Sequence, residues 1–163
     1  MNAIVVVDEN WAIGKDGGLL VHLPGDLKYY KEKTKGKHIV IGRKTLESFP
    51  GSKPLPDREN IVLTGNRDFS APGCTVLNSM AQAAVYLGRF SEDDIFVSGG
   101  EIIYRRFMPL CDTFYVTHIQ ASFEGADKHF TDLNEEEDVA ETWRSDVREE
   151  NGVRYYFAKY ERK

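Results

Sequence analysis

The sequence predicts an α/β fold: a mostly parallel sheet flanked by helices and finished by an antiparallel C-terminal hairpin. Three observations predict it. Short β-branched apolar runs alternate with helix-like stretches through residues 3–107, the pattern of strands buried on both faces by crossover helices. The pattern changes in the C-terminal third, where residues 113–120, 141–149 and 153–160 read as strands. Between the last two stands Asn151-Gly152, the strongest short-range hairpin signal.

The elements follow in order. Residues 3–7 form the first strand; no basic stretch precedes this short apolar run, so it is not a signal peptide. Further strands are predicted at 38–41, 60–64, 75–77 and 95–98, from their β-branched content. Helices are predicted at 25–34, 43–49, 79–88 and 100–107. Crossovers between parallel strands are right-handed. The Pro-rich segment 50–57 is too short to separate domains, so the 163 residues form one domain, 1–163, long enough for a proper core.

Composition narrows the function. The content is 41% hydrophobic and 29% charged, ordinary for a soluble globular protein. No apolar run approaches the roughly 20 residues of a membrane span. The net charge of −5 argues against nucleic acid as the partner. The charge is uneven: residues 28–58 carry nine Lys/Arg against three Asp/Glu, and residues 124–151 carry three against eleven. A locally basic half can hold an anionic ligand. Cys74 and Cys111 form no CxxC pair and no metal-ligand cluster, so zinc is not expected and two free, buried thiols in a cytoplasmic protein are.

Two features carry chemistry. The first is Leu23-Pro24-Gly25-Asp26-Leu27-Lys28-Tyr29-Tyr30, which follows the glycine-bearing segment 13–20. Pro favours the first helical turn and an acid there suits the macrodipole, so on pattern alone Asp26 reads first as a helix-start acid, with a ligand anchor as the alternative. The second is a set of three strand ends. Ile41-Gly42-Arg43-Lys44-Thr45 turns at a glycine and opens a helix with two cations and a hydroxyl; Leu63-Thr64-Gly65-Asn66-Arg67 repeats strand, glycine, cation; Val97-Ser98-Gly99-Gly100-Glu101 breaks at two glycines before a helix. Ligands of open α/β sheets bind beyond the carboxyl ends of strands. Helix starts and arginines there suit phosphate. None of the three is a complete P-loop or GxGxxG motif, but together they point to a dinucleotide phosphate site.

These segments, in order, resemble dihydrofolate reductase over essentially the whole chain. The resemblance is carried by Asp8–Gly14, Leu23–Leu27, Ile41–Thr45, Pro54–Ile61, Ser98–Tyr104, Tyr115–Ile119 and Phe123–Gly125. It implies an eight-stranded sheet with four flanking helices. It implies NADPH-dependent reduction of 7,8-dihydrofolate to tetrahydrofolate in one-carbon metabolism, antifolate inhibitors as binding partners, and a cytoplasmic monomer. It assigns Asp26 to the pterin's 2-amino group and N3, with Thr117 hydrogen-bonded behind it. Ile4, Val5, Leu27, Tyr30, Phe49 and Leu55 would line the substrate pocket, and Arg58 would pair with the substrate's glutamate α-carboxylate. Val6, Ile13, Gly14 and Leu19 would lie against the cofactor's nicotinamide, within or beside the closing loop 8–23. Gly42, Arg43, Lys44 and Thr45 would hold its phosphates, with Leu63, Thr64, Asn66 and Arg67. Ser98, Gly99, Gly100, Glu101, Ile102, Ile103 and Tyr104 would complete the groove, with a cis Gly99–Gly100 peptide.

The chain departs from the family in places. Leu20-Val21 stands where most members have a Pro-Trp pair, whose tryptophan helps hold an ordered water near the pterin. The segment 48–54 is about two residues longer than a common bacterial form, Ser98 replaces an aliphatic residue, and a one-residue insertion lies near 124–127. Two other readings are a riboflavin-pathway reductase of the same fold and a non-catalytic nucleotide-binding module. Neither accounts for Asp26, Tyr30, Arg58 and Thr117 occurring together.

Overall fold

A computed structural model describes residues 1–163. Its strands are β1 (Asn2–Val7), β2 (Ala12–Gly14), β3 (His38–Gly42), β4 (Glu59–Leu63), β5 (Cys74–Leu77), β6 (Ile95–Val97), β7 (Thr113–Ile119), β8 (Lys128–His129), β9 (Val139–Arg144), β10 (Arg148–Glu150) and β11 (Val153–Arg162). The helices are α1 (Pro24–Thr34), α2 (Arg43–Ser48), α3 (Met80–Leu87) and α4 (Glu101–Phe107). The predicted elements are present with ends shifted by a residue or two.

The main sheet runs β5-β4-β3-β6-β1-β7-β11, with β9 and β10 both on the far edge of β11. Pairs from β5 to β7 are parallel and those of β11 are antiparallel. The sheet therefore has nine strands rather than eight. The expected strand 141–149 is split: Phe157 N–H donates to the Ser145 hydroxyl at 2.9 Å instead of to a backbone carbonyl. The chain steps out of the ladder there and rejoins at β10. The Asn151-Gly152 turn closes the hairpin as predicted, with φ of 51° and 77°, the left-handed pair that such a turn requires.

Alternation along the strands separates two cores. Ala3, Val5, Val7, Val40, Ile61 and Val97 face α3 and α4, packing with Leu87, Ile103 and Phe107. Ile4, Ile39, Ile41, Val62 and Phe96 face the other way, packing with Leu46 of α2 and with Tyr30, Phe49 and Leu55. On that second face, Ile119, Tyr155 and Phe157 meet Leu23, Val21 and Tyr29. The parallel strands end together, so the loops after β1, β3, β4 and β6 gather at one edge of the sheet.

A second small sheet, not predicted from sequence, pairs β2 with β8. Its strands are three and two residues long, too short to show a periodicity. It ties the loop 8–23 to residues 128–129, helped by Asp127 N–H donating to Gly14 O at 3.1 Å. Asp8 anchors the same loop: its carboxylate accepts from Asn10 N–H at 2.8 Å, Ala12 N–H at 2.9 Å and Phe123 N–H at 3.2 Å. Cys111 is buried and Cys74 partly exposed, both as free thiols.

Candidate active site

Helix α1 starts without a side-chain cap, because Leu23 occupies the N-cap position. The carboxylate of Glu150, on β10, takes over: its Oε1 accepts Gly25 N–H at 2.8 Å. Tyr155 O–H donates to the same oxygen. The next residue, Asp26, is buried, and its Oδ1 accepts the Thr117 hydroxyl at 2.6 Å. Thr117 reaches it because alternation turns that side chain of β7 toward α1. Burial pushes the Asp26 carboxyl up to about 6; the Thr117 hydrogen bond opposes this and the Glu150 charge adds to it. The result is one protonatable carboxyl on a rigid base.

Tyr30, one helical turn on, shares Asp26's face of α1 and donates its hydroxyl to Ser98 Oγ at 3.1 Å. Ser98, the polar departure at the end of β6, thus bridges to α1. Tyr30 also packs in the same cluster as Ile4, Phe49 and Leu55. Arg58 is held at the rim: its Nε donates to Pro56 O at 2.9 Å and its Nη1 to Thr34 Oγ1 at 3.2 Å, with the guanidinium 5.9 Å from the Tyr30 ring centroid. Asn60 clamps this segment, accepting from Leu55 N–H and donating to the carbonyls of Leu55 and Arg58. Val5 and Val6 continue β1 behind this wall.

At the strand ends, Gly42 N–H donates to Gly99 O at 2.9 Å. The Gly99–Gly100 peptide is cis. A Cβ on Gly99 would lie 2.9 Å from the Tyr104 ring, and one on Gly42 would lie 3.2 Å from Ile103. The glycines therefore let α4 pack directly on the strand ends. Tyr104 O–H donates to Ile4 O at 2.7 Å, joining this region to the Asp26 side. Arg43 pairs with Glu47 at 3.1 Å and lies 6.0 Å from the Phe69 ring. Thr64 and Asn66 are bound by Asn78, whose Nδ2 donates to both carbonyls.

The acid at the start of α4, Glu101, is engaged elsewhere: its Oε2 accepts His129 N–H at 2.6 Å and its Oε1 lies 3.4 Å from Arg105. Leu19, Leu27 and Ile102 are exposed, so they stand outside these contacts. Ile13 and Gly14 lie in β2, and Lys44, Thr45, Leu63, Arg67 and Gly100 belong to the strand-end region.

A dihydrofolate reductase family model matches residues 1–162. The chain belongs to the dihydrofolate reductase family. It is 38% identical over 161 residues to the dihydrofolate reductase of Bacillus subtilis (strain 168), spanning 98% of this chain and 93% of that one. It is 37% identical over 163 residues to that of Staphylococcus haemolyticus, spanning 99% and 95%. A solved structure titled as dihydrofolate reductase from Enterococcus faecalis complexed with NADP(H) and RAB-propyl matches with a TM-score of 0.86 at 36% identity. That match covers 99% of this chain and 95% of that one.

Sequence reasoning missed Glu150, Tyr155, Thr34 and Asn60 around this dihydrofolate reductase site. Asn60 carried a signal, an amide at the head of the apolar run Ile61-Val62-Leu63. Glu150 carried none, since it lies 125 residues from the glycine it holds.

Proposed function

We propose that this chain reduces 7,8-dihydrofolate to 5,6,7,8-tetrahydrofolate with NADPH. The single observation that carries the proposal is Asp26: a buried carboxyl, braced by Thr117 and pushed up to about 6. A flat heterocycle with adjacent N–H donors needs one such acceptor at the bottom of its pocket. Thr117 takes one oxygen of Asp26, which leaves the other for the pterin 2-amino group and N3 in this reading. The Tyr30, Ile4, Phe49 and Leu55 cluster supports an apolar wall for the ring and the benzoyl group. Arg58, preset by Pro56 and Thr34, supports recognition of the glutamate α-carboxylate at the rim.

The strand ends fit the cofactor. A side chain at Gly99 would collide with Tyr104 and one at Gly42 would crowd Ile103, so these glycines bring the start of α4 onto the strand ends. Arg43, Lys44, Thr45, Asn66 and Arg67 would hold its phosphates. Glu101 would repel them if its charge were free, but His129 N–H and Arg105 hold it. When bound, NADPH supplies the hydride of the reduction. Asp26 orients and polarises the ring, and a solvent-derived proton reaches N5 without Asp26 touching it. The loop 8–23, hinged on the Asp8 contacts, excludes water from the site. In this reading the protein is a cytoplasmic monomer with a single domain, 1–163, and the free thiols suit the cytoplasm.

The test is loss of NADPH absorbance near 340 nm on mixing the protein with dihydrofolate, stopped by methotrexate. Asp26→Asn lowers the rate at pH 7 about tenfold or more, with partial recovery in acid, where the substrate is already protonated. Full activity of that variant at pH 7 would remove Asp26 from the mechanism.

A further inference from the structure

The reading above leaves unused a half-buried contact next to Asp26. Glu150 comes from the C-terminal hairpin, yet its carboxylate accepts both the Gly25 N–H at 2.8 Å and the Tyr155 hydroxyl. Tyr155 is only 1% exposed, and its neighbours across β7 and β11 are Ile119 and Phe157. The arrangement is sterically closed: a Cβ on Gly25 would run into both the Tyr155 hydroxyl and the Glu150 carboxylate. A side chain at position 25 would displace both partners, so glycine there keeps the contact. A surface hairpin has no need of a carboxylate aimed at a distant helix. A capping side chain at position 23 would satisfy the same N–H at lower cost.

We propose that Glu150 is a positioning residue for Asp26, fixing the turn that carries it and setting a second negative charge behind it. This rests on the reading of Asp26 as the pterin anchor. The titratable groups whose charge couples to Asp26 are Glu150 on β10, Tyr29 on α1, Tyr104 on α4 and Tyr155 on β11, and Tyr30 shares its face of α1 one turn on. Glu150 is the only carboxylate among them. Thr117 supplies the opposing hydrogen bond from β7. Arg148 stands across from Tyr155 on β10 with its guanidinium 5.0 Å from the Phe157 ring centroid. A like charge near a carboxylate favours its protonated form. The hairpin therefore helps keep Asp26 able to take up a proton near neutral pH.

The experiment compares wild type with Glu150→Gln, which keeps an acceptor for Gly25 but removes the charge. Two readouts are used: the carbon-13 shift of the Asp26 carboxyl against pH in the ligand-free protein, and the pH profile of dihydrofolate reduction. The Asp26 midpoint falls by about half a pH unit in Glu150→Gln, and the profile moves with it. A midpoint unchanged within error overturns the proposal, because a purely structural Glu150 would alter stability without moving the titration. Tyr155→Phe removes one hydrogen bond and leaves the charge, so its midpoint does not fall; a fall of about half a pH unit in Tyr155→Phe overturns the charge argument, and that readout stands even if Glu150→Gln does not fold. Asp26→Asn separates the two readings. If it leaves the activity profile of the wild type intact, the anchor reading fails; if it flattens that profile while Glu150→Gln shifts nothing, only the Glu150 proposal fails.

Discussion

Asp26 destabilises the fold that carries it. Its folded value of about 6 lies above the ordinary 3.8, so the folded chain holds a proton that the unfolded chain has lost between those limits. Its contribution is favourable below 3.8 and is lost as pH rises through 6. At neutral pH the buried charge is a net cost, tolerated for function. Asp26→Asn therefore raises the stability of the ligand-free protein at pH 7 by on the order of 2 kcal/mol, roughly 4–8 °C in Tm, while removing most activity. Calorimetry at pH 7 checks the sign; a lower Tm would mean that the carboxylate is not strained by burial. Arg58 is the opposite case. Thr34 and Pro56 already hold it, so Arg58→Leu raises KM for dihydrofolate about tenfold or more with a much smaller change in kcat, read from steady-state kinetics. A rise confined to the KM for NADPH would mean that Arg58 does not meet the substrate carboxylate.

At the scale of elements, the sheet is stapled at the edge opposite the site. Glu59, at the start of β4, accepts hydrogen bonds from the Tyr86 hydroxyl on α3, Thr75 on β5 at 2.9 Å and His38 on β3 at 2.7 Å. Burial pushes its carboxyl up, but these three donors together outweigh that and hold it below the ordinary 4.5. A depressed value contributes stability above 4.5 that is lost as pH falls through the folded value. Glu59→Gln thus lowers stability at pH 7 by about 1–2 kcal/mol and flattens the acid limb of unfolding below 4.5. Denaturant melts at pH 7 and pH 3.5 check this; an unaltered acid limb would show that other carboxylates dominate it. Strands and helices here were legible because periods of two and of 3.6 run through enough residues to register. The β2–β8 pair was not, being two and three residues long. Nor was the break between β9 and β10, because one serine hydroxyl standing in for a carbonyl makes it.

At the scale of the molecule, buried Asp26 and half-buried His118, on opposite faces of β7, offset each other. His118 stacks on Tyr156 with ring centroids 4.8 Å apart, meets Trp11 edge-on at 5.2 Å and shares a hydrogen bond with Tyr160. Burial, with help from Arg144 and against Glu141 and Asp132, brings its ring down to about 4 from 6.5. The unfolded chain takes up a proton in that window and the folded chain does not, so His118 costs stability as pH falls from 6.5 to 4. Asp26 has the reverse sign over nearly the same range. Between pH 4.5 and 6 the two slopes nearly cancel. Asp26→Asn exposes the His118 slope, and stability then falls on acidification. His118→Phe keeps an aromatic plane and exposes the Asp26 slope, so stability rises on acidification. Thermal melts of both variants from pH 4.5 to 6 test this; parallel curves would sink it.

What the sequence determined by itself was local and periodic. Alternating apolar runs marked the parallel strands, Asn151-Gly152 marked the hairpin, and glycines at three strand ends marked backbone that must turn or approach closely. The order and spacing of seven segments, from Asp8–Gly14 to Phe123–Gly125, carried the resemblance to the family. Only the tertiary structure decided what surrounds Asp26. Thr117, Glu150 and Tyr155 are 91, 124 and 129 positions away along the chain, and no pattern of spacing links them. Whether an acid at a helix start is a cap or a buried, protonatable anchor depends on the dielectric and the charges around it. Those are properties of the packed sheet, set when β7, β10 and β11 close against α1.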